Sequence, residues 1–456
     1  MEKRRIAKQF AGKSILILGL GREGYDSFLF FRRLFPKKTI GLADRSVLES
    51  LDPAFAKIIA KDKFVKLNLG ANYLKLLGEY DIIVKAPGVP IHLPEIEAAR
   101  EAGKITTQTK IFFDFFPGTI IGVTGTKGKS TTSALISAVL KKAGKRAKLL
   151  GNIGKPILRE LLIAKRGDYF VLELSSHQLY DLKKSPHIAV LLNLHPEHLD
   201  YYKDFGEYAR AKENIALYQS SKDFLVYNSA NAAVSAIAKK SKARKLAFND
   251  YAWNFPKENI PLIGEHNVQN VKAAVIVGKI LKIGAKSIEK AVTAFKPLDH
   301  RLELTGIYNG IEFYNDSLST IQESAVAAIE GLGGRVETLI AGGYERNQPF
   351  DLLAKKILSS NIKTLILFPT TGERIWKEIK AQDKNGKEAR RIRHFFAASM
   401  DEAVKAALAD TNRGKICLMS CASSSFSLFK DYEEKARLYK DGLGKYAKLE
   451  KDKPKK

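Results

Sequence analysis

Short apolar runs alternate with longer segments whose apolar residues recur at helical spacing along most of the chain. Amphipathic segments such as 134–140 and 268–283 predict helices, because their apolar residues repeat every three to four positions. The apolar runs between such segments predict strands at residues 13–18, 39–43, 80–85, 119–121, 168–174, 188–193, 223–227, 311–314, 336–341, 364–368 and 415–420. Strands that alternate with helices form largely parallel sheets, so the pattern predicts an α/β fold.

The alternation falls into three blocks, which is consistent with a length of 456 residues. The first break lies around Pro117 and Gly118, and the second lies near Lys296 and Pro297. We therefore predict three domains in series, over residues 1–117, 118–298 and 299–456. Each is expected to hold a largely parallel sheet with helices, Rossmann-like at the two ends of the chain and of the P-loop ATPase type in the middle.

The segment GVTGTKGKSTT, residues 122–132, stands between a predicted strand and a predicted helix. Gly125 and Gly128 let backbone N–H groups turn inward around an anion, and Lys129 adds a point charge. Ser130 or Thr131 offers a hydroxyl to a magnesium ion, and the helix N-terminus favours negative charge. The segment departs from the strict phosphate-loop pattern because Val123 stands where a glycine is usual. It predicts a phosphate-binding loop for ATP or GTP.

The first block opens with a second glycine-rich turn, GLGREG at residues 19–24. It follows a predicted strand, and Asp44 follows the next strand at the distance that a dinucleotide-binding fold uses. Alone, this pattern fits NAD, a nucleotide sugar or only a tight turn. The turn APGVP at residues 86–90 is expected at the carboxyl edge of the same sheet, where ligands of α/β proteins bind.

Several polar residues follow the predicted strands of the second block. Glu173 ends a strand beside the phosphate-loop strand, which is a usual place for a magnesium contact. The segment HPEHLDYY, residues 195–202, could bind zinc, but neither a cysteine nor an HExxH spacing supports that site. A magnesium-associated histidine is better supported. Lys212 by itself reads as an ordinary lysine on a helix surface.

Three polar segments follow near the second break. In GEHNVQN, Asn267 and Asn270 are suited either to capping a helix or to hydrogen bonding with an adenine edge. Arg301 in LDHRLEL has the forked head group that matches phosphate oxygens. Asp316, after a strand of the third block, is a candidate partner for a ribose or for that arginine.

Composition limits the possible functions. The net charge of +27 suggests nucleic-acid binding, but the lysines are spread over the whole chain and no nucleic-acid-binding motif accompanies them. The same charge would attract anionic substrates. Cys417 and Cys421 are too few for a disulfide framework. The chain shows neither a secretory signal at its start nor an apolar run long enough to span a bilayer, so we expect a cytoplasmic location and no membrane partner.

Taken together, the motifs resemble those of the Mur ligase family over nearly the whole chain. GTKGKSTT, LLGNIG, LELSSHQL, HLDYY, the AK of YARAKENIA, GEHNVQN, DHR and NDS occur in the family's order. The LELSSHQL and YNDS forms and CASSSFSLFKDYEEK are most similar to the branch that adds D-glutamate to UDP-N-acetylmuramoyl-L-alanine. The resemblance implies an ATP-dependent amide-bond-forming ligase that acts through an acyl phosphate in peptidoglycan synthesis, and thereby in cell wall biogenesis, cell shape and cell division.

The resemblance also implies roles for the three domains, which would bind the UDP-sugar, ATP and the amino acid in that order. It implies catalytic roles for Lys129, His198 and Lys212. It implies ATP contacts from Gly125, Thr126, Gly128, Lys129, Ser130, Thr131, Asn267, Asn270, Arg301 and Asp316. It implies UDP-sugar contacts from Gly21, Arg22, Asp44, Arg45, Ser46, Pro87, Gly88 and Asn152. Two magnesium ions are implied, held by Ser130, Glu173, His198 and Lys212 as a carbamate.

Amino-acid contacts are implied for Thr320, Arg346, Ser425 and Tyr432. Arg346 replaces the usual lysine, and Tyr432 stands where phenylalanine is common. The family usually has a lysine directly after NDS, but here that residue is Leu318. Ligation of L-glutamate or of another amino acid therefore remains an alternative. The expected partners are small-molecule substrates, and we expect a monomer.

Other functions also remain open at this stage. A folylpolyglutamate synthase or a different Mur ligase would share the ATP site, although their third-domain motifs are absent. A basic P-loop ATPase that binds nucleic acid would explain the charge. An NAD-dependent oxidoreductase would explain GLGREG but leaves the phosphate loop without a role.

Overall fold

The computed structural model describes residues 2–151, 157–252, 256 and 259–450. The chain divides into two compact units. The first comprises Met1–Phe255 and Gln269–Thr293, and the second comprises Pro256–Val268 and Ala294–Lys456. Among the described residues, no helix combines the length and the apolar character needed to cross a membrane.

The first unit begins with a five-stranded sheet whose strands are all parallel. Its strands, in the order β3-β2-β1-β4-β5, are β1 (Ile15–Leu18), β2 (Ile40–Asp44), β3 (Val65–Leu69), β4 (Ile82–Lys85) and β5 (Ile105–Thr106). The helices of this part are α1 (Glu2–Phe10), α2 (Arg22–Leu34), α3 (Pro53–Lys61), α4 (Pro94–Glu101) and α5 (Gln108–Phe115). This strand order is that of a Rossmann-like sheet, whose ligands bind beyond the carboxyl ends of the strands.

The same unit holds a second, six-stranded parallel sheet. Its strands, in the order β11-β10-β9-β6-β8-β7, are β6 (Thr119–Thr124), β7 (Ala147–Gly151), β8 (Tyr169–Glu173), β9 (Ile188–Leu191), β10 (Phe224–Tyr227) and β11 (Arg244–Ala247). The helices are α6 (Lys129–Lys142), α7 (Ser176–Leu179), α8 (Phe205–Leu217), α9 (Ala232–Lys240), α10 (Glu265–Ile280), which begins among residues of the second unit, and α11 (Ala285–Thr293).

The second unit is built on a seven-stranded mixed sheet. Its strands, in the order β16-β15-β14-β17-β13-β12-β18, are β12 (Glu303–Tyr308), β13 (Ile311–Asn315), β14 (Val336–Gly342), β15 (Thr364–Phe368), β16 (Arg393–Phe396), β17 (Ile416–Met419) and β18 (Leu449–Glu450). Its helices are α12 (Gln322–Leu332), α13 (Asp351–Leu358), α14 (Thr371–Gln382), α15 (Lys387–Arg390), α16 (Met400–Asp410) and α17 (Tyr432–Tyr446). Five strands run parallel, whereas β12 is antiparallel to both of its neighbours.

The central strands are apolar on both faces because helices cover both sides of each sheet. All four residues of β1, β9 and β17 are buried. Such continuous apolar strands are typical of parallel sheets. This explains why simple apolar runs in the sequence located the strands.

Buried polar side chains join the first two sheets inside the first unit. Asp26 on α2 is 1% exposed, and its carboxylate accepts hydrogen bonds from the Gln108 amide at 3.0 Å and from the Leu158 N–H at 3.1 Å. Asp181 pairs with Arg100 at 2.8 Å and lies 3.9 Å from the buried Lys85 ammonium. Through the contact of Lys85 with Asp181, the end of β4 is held close to the segment that follows Leu179.

The predicted fold class is confirmed: three sheets with flanking helices follow one another along the chain. Every predicted strand is present, within three residues at either end. The sequence interpretation missed the hairpin of β12 and β13 and the short edge strands. The predicted domain limits stay predictions, and the first two sheets lie in one compact unit.

Candidate active site

The segment 122–132 forms a tight turn between β6 and α6. Gly128 adopts a left-handed conformation with φ of 84°, and a Cβ atom there would lie 2.5 Å from Oδ1 of Asn270. That oxygen accepts a hydrogen bond from the Thr132 hydroxyl at 3.1 Å. Glycine is therefore required at position 128 both by the backbone angle and by the close approach of α10.

Asn193, just beyond β9, holds this turn in shape. Its carbonyl oxygen accepts from the Thr126 N–H at 2.8 Å, and its side-chain oxygen accepts from the Lys127 N–H at 2.8 Å. The hydroxyl of Thr126 accepts from the His195 N–H at 2.9 Å and lies 3.0 Å from the Tyr208 hydroxyl. The turn is thus rigidly tied to the carboxyl end of β9.

Two lysines meet at the carbonyl oxygen of Gly125. The ammonium of Lys129 donates to it at 3.0 Å and to Thr126 O at 2.9 Å, and Lys212 on α8 donates to the same oxygen of Gly125 at 3.0 Å. Lys212 is only 2% exposed. Burial, followed by the positive charge of Lys129, lowers the pKa of Lys212 well below its ordinary value of 10.5. The neutral amine of Lys212 is therefore more accessible than that of an exposed lysine.

A carboxylate balances this positive charge. Glu197 pairs with the Lys127 ammonium at 2.9 Å. Burial alone would raise the pKa of Glu197, but the charges of Lys127, Lys129 and His198 outweigh it and hold that pKa far below its usual range. Glu197 is therefore ionised beside the phosphate loop.

The backbone at His198 is strained, with φ of 59°, a conformation that side chains rarely adopt. Its carbonyl oxygen accepts from the N–H groups of both Tyr201 and Tyr202 at 3.0 Å. Its ring lies 4.9 Å from that of His177, edge to face. Burial, followed by the neighbouring His198 and Lys212, lowers the pKa of His177 to about 3. The imidazole of His177 is therefore neutral at physiological pH.

These groups line one cavity of about 310 Å³ in the first unit. The Tyr201 hydroxyl lies 3.1 Å from Pro87 O, which fixes the turn after β4 against the second sheet. The cavity wall combines that turn with the phosphate loop and the ends of β8 and β9, and its residues are Pro87, Gly88, Lys129, Ser175, Ser176, His177, Glu197, His198, Tyr208 and Lys212. The structure thus brings five predicted site residues together: Pro87, Gly88, Lys129, His198 and Lys212.

The predicted magnesium ligands surround the same turn. Glu173 ends β8 and is paired in register with Val123 of β6, so its carboxylate emerges next to the start of the loop. Ser130 and Thr131 lie in the first turn of α6, and both are buried. A hydroxyl and a carboxylate are the oxygen donors that Mg²⁺ prefers, so these residues fit that ion. No group of three histidine, cysteine or acidic side chains suited to a metal occurs within the described residues.

The UDP-sugar candidates of the first sheet cluster at its carboxyl edge. The Asp44 carboxylate accepts from the Leu20 N–H at 2.6 Å and from the Ser46 N–H at 2.8 Å, which ties the GLGREG turn to the end of β2. Gly21 caps α2, and Arg22 begins it. Arg45 follows β2 directly. Asn152, also predicted to contact the substrate, lies outside the described residues.

Three of the predicted ATP contacts belong to the second unit. Asn267 donates to Ile263 O at 2.8 Å. Asp316 accepts from the Ser420 hydroxyl at 2.7 Å and from the Leu302 N–H at 3.3 Å. Arg301 lies between His300 and Leu302, whose φ angles of 66° and 44° are both left-handed. Strained backbone of this kind is concentrated at functional sites.

The predicted amino-acid contacts follow three adjacent strands, β14, β17 and β13. Arg346, Ser425 and Thr320 therefore emerge from the same carboxyl edge of the third sheet. The Tyr344 N–H donates to Ser424 O at 2.8 Å and links two of these loops. Tyr432 begins α17, and its ring lies 5.6 Å from that of His300.

Sequence reasoning missed several residues that shape the cavity. His177 lies within the LELSSHQL motif and Glu197 within HPEHLDYY, but the sequence alone indicates a role for neither. The ion pair of Lys127 with Glu197 joins residues 70 positions apart, so no local pattern could reveal it. The same holds for Asn193 and Tyr208, whose contacts depend on the packing of β9 and α8 against the loop.

Comparison with known proteins places these motifs in a family. Residues 123–256 match the Mur ligase middle domain. The UDP-N-acetylmuramoylalanine–D-glutamate ligase of Acetivibrio thermocellus is 34% identical over 95% of this chain and 97% of the relative. The enzyme of the same name from Koribacter versatilis is 32% identical over 96% of this chain and 99% of the relative.

Solved structures show the same fold at lower sequence identity. The UDP-N-acetylmuramate–alanine ligase MurC of Thermotoga maritima superposes with a TM-score of 0.57 at 15% identity, over 95% of this chain and 99% of the other. The MurF ligase of Thermotoga maritima, solved in complex with ADP, gives 0.57 at 14% identity, over 94% and 95%.

Proposed function

The chain belongs to the Mur ligase family, and we propose that it joins D-glutamate to UDP-N-acetylmuramoyl-L-alanine with the consumption of ATP, in peptidoglycan precursor synthesis. Relatives that carry this name match the chain almost from end to end at more than 30% identity. The acceptor, the cytoplasmic location and a monomeric state are parts of the proposal.

The proposed reaction has two steps. The alanine carboxylate attacks the γ-phosphorus of ATP, which forms an acyl phosphate and releases ADP. The neutral amine of glutamate then attacks the acyl carbon and gives up one proton to solvent. The new C–N bond replaces the C–O bond to phosphate, and inorganic phosphate leaves with the electron pair of that bond. Catalysis of phosphoryl transfer rests mainly on positioning and on neutralising charge.

The cavity beside the phosphate loop is the observation that carries the proposal. Lys129, at the start of α6, lines the same cavity as Pro87 and Gly88, which follow the first sheet. A nucleotide held by the loop and a carboxylate substrate held by the first sheet would therefore present their reacting ends to one space. The positive charges of Lys127 and Lys129 would stabilise the negative charge of both.

Magnesium supplies charge neutralisation when it is bound. Ser130 and Glu173 would hold one ion, and His198 together with a carbamylated Lys212 would hold a second. A carbamate forms when a neutral amine attacks CO₂, and the lowered pKa of Lys212 favours that neutral form. The product is an anion beside Lys129, so the charge of the phosphate-loop lysine would stabilise it.

The remaining contacts divide by substrate. We propose further ATP contacts from Thr126, Thr131 and Asn270, and from Asn267, Arg301 and Asp316. Gly21, Arg22, Asp44, Arg45, Ser46 and Asn152 would hold the UDP-sugar. Thr320, Arg346, Ser425 and Tyr432 would hold the amino acid. The described residues of these groups lie beyond the carboxyl ends of strands or in the first two turns of a helix, and such ligands bind beyond the carboxyl ends of strands in α/β folds.

Phosphate release tests the proposal directly. The purified protein is incubated with ATP, Mg²⁺ and UDP-N-acetylmuramoyl-L-alanine, and a panel of amino acids is added singly. We expect release with D-glutamate that depends on the UDP-sugar. Release with L-glutamate or another amino acid instead would reject the proposed acceptor and keep the ligase chemistry. Hydrolysis stimulated by DNA or RNA, and not by the UDP-sugar, would support the nucleic-acid ATPase.

A further inference from the structure

Lys435, in the first turn of α17, carries a buried ammonium group that the proposed reaction does not yet use. The residue is 1% exposed, and within the described part of the chain its Nζ has no hydrogen-bond partner. The other deeply buried lysines differ: Lys212 donates to Gly125 O, and Lys85 lies 3.9 Å from the Asp181 carboxylate. An isolated buried charge is costly, and an anion that binds beside it removes that cost.

The acidic residues of the same helix turn have other hydrogen-bond donors, and the Glu433 carboxylate accepts from the Tyr432 hydroxyl at 3.2 Å. The Asp431 carboxylate caps the helix by accepting from the Glu434 N–H at 2.8 Å. The Glu434 carboxylate accepts from the Lys430 N–H at 2.7 Å. Lys440, further along the helix, pairs with Glu303 at 2.5 Å. Lys435 therefore differs from the two other lysines of its own helix, Lys440 and Lys445, each of which has a carboxylate partner.

The start of α17 lies at the carboxyl edge of the third sheet. The Tyr432 ring is 5.6 Å from the His300 ring, and the carbonyl oxygen of His300 accepts from the Leu318 N–H at 3.3 Å. The helix ends at the opposite edge, where the Lys448 N–H donates to Asn309 Oδ1 at 3.3 Å. Lys435 is one turn away from Tyr432, and so it lies near the edge from which the predicted amino-acid contacts emerge.

Three buried hydroxyls of the same edge also have no partner within the described residues. They belong to Ser317 and Ser319, which follow β13, and to Ser424, which follows the adjacent strand β17. They are 0%, 2% and 4% exposed. One cation together with several hydroxyl donors suits a carboxylate, which carries a single negative charge and accepts several hydrogen bonds.

We infer that Lys435 binds a carboxylate of the incoming amino acid. This inference rests on the proposed function. It also accounts for Leu318, which leaves the segment after Asp316 without the cation that the family usually has there. The positive charge that an acidic substrate requires would come from Lys435 on α17, the helix that begins at the same edge of the sheet.

The test compares the wild type with Lys435→Met, which keeps most of the side-chain volume and removes the charge. We expect the KM for the amino acid to rise about 10- to 100-fold, as loss of a charged hydrogen bond does. The KM values for ATP and the UDP-sugar should stay within about twofold, because those contacts lie elsewhere. The thermal midpoint should stay equal or rise, because the variant removes a buried charge.

Two further variants make the comparison specific. Lys445→Met removes the same charge from an exposed position of α17, where the side chain is 62% exposed, and should leave all three KM values unchanged. Lys435→Gln keeps a polar head group but removes the charge, so it should raise the amino-acid KM as Lys435→Met does. If Lys435→Met fails to fold, Lys435→Gln is measured in its place.

An amino-acid KM that stays within twofold in Lys435→Met would overturn the inference. Equal rises of all three KM values with a lower thermal midpoint would also overturn it, because they indicate a structural role. A wild type that uses a different amino acid corrects the proposed acceptor, and the variants are then measured with that amino acid. A wild type that releases no phosphate with any amino acid refutes the proposed function itself.

Discussion

At the scale of single residues, Lys212 shows how burial turns an ordinary helix lysine into a chemical group. Its ammonium would be stable on a helix surface, but α8 carries it against the phosphate loop, where it is 2% exposed and close to Lys129. The lowered pKa makes the neutral amine, which is the form that reacts with CO₂, more accessible. The sequence alone could not distinguish the two situations, because both place a lysine at a helical position.

Lys212→Ala should therefore abolish most of the ligase activity while the protein stays folded. Short carboxylates such as acetate or formate should restore part of it, because they place an anion in the space that the carbamate would occupy. The measurement is phosphate release with and without added carboxylate. Full activity of the variant without any addition would remove the carbamate role from Lys212.

His177 makes folding of the first unit sensitive to acid. Its pKa is about 3 in the folded protein against an ordinary value of 6.5, so both states are neutral above pH 6.5. As the pH falls below 6.5, the unfolded chain takes up a proton that the folded protein does not, and stability is lost progressively towards pH 3. At pH 5 this loss amounts to about 2 kcal/mol.

His177→Phe should remove that loss, since phenylalanine does not titrate. Urea unfolding of the first unit at pH 7.5 and pH 5.0 measures it. The difference in unfolding free energy between the two pH values should be about 2 kcal/mol smaller in the variant than in the wild type. An equal difference in both proteins would mean that His177 takes up its proton in the folded state.

At the scale of elements, the turn between β6 and α6 depends on the close approach of α10. Gly128→Ala should abolish ATP-dependent turnover, because its Cβ would lie 2.5 Å from Asn270 Oδ1 and would shift the turn or the helix. Gly144→Ala is the matched control: φ is also left-handed there, at 71°, but no atom lies within 4 Å of the added Cβ. The control should lose about 1 kcal/mol of stability and keep its activity.

Turnover and nucleotide affinity are measured in both variants. They distinguish the effect of left-handed backbone strain from that of the contact between the added Cβ and Asn270. Loss of activity in both would indicate that left-handed strain alone is damaging. Normal activity in Gly128→Ala would mean that α10 shifts to accommodate the added Cβ without loss of function.

The elements that the sequence predicted are those whose signal is local. The phosphate loop was found because its glycines, lysine and hydroxyls lie within a few residues of one another. The β12–β13 hairpin was missed although its turn, Asn309–Gly310, carries an Asn-Gly signal, and both residues have positive φ, 51° and 77°. The ion pair of Lys127 with Glu197 and the buried Lys435 could not be predicted, because tertiary packing alone brings them about.

At the scale of the whole molecule, the two compact units have separate cores. Phe170 on β8 is fully buried in a cluster that covers the first two sheets, whereas Phe313 on β13 is fully buried in a cluster confined to the third. A chain with two such cores unfolds as more than one cooperative body. Calorimetry should therefore resolve two transitions, and the predicted phosphate loop lies in the first unit.

Phe170→Ala and Phe313→Ala test this division. Each removes a buried ring, which costs about 3–5 kcal/mol, and each should lower only the transition of its own unit. Addition of ADP and Mg²⁺ should raise the transition that Phe170→Ala lowers, because a ligand stabilises the body that binds it. If either substitution lowered both transitions by the same amount, the chain would unfold as one body and the third sheet would depend on the first two for its stability.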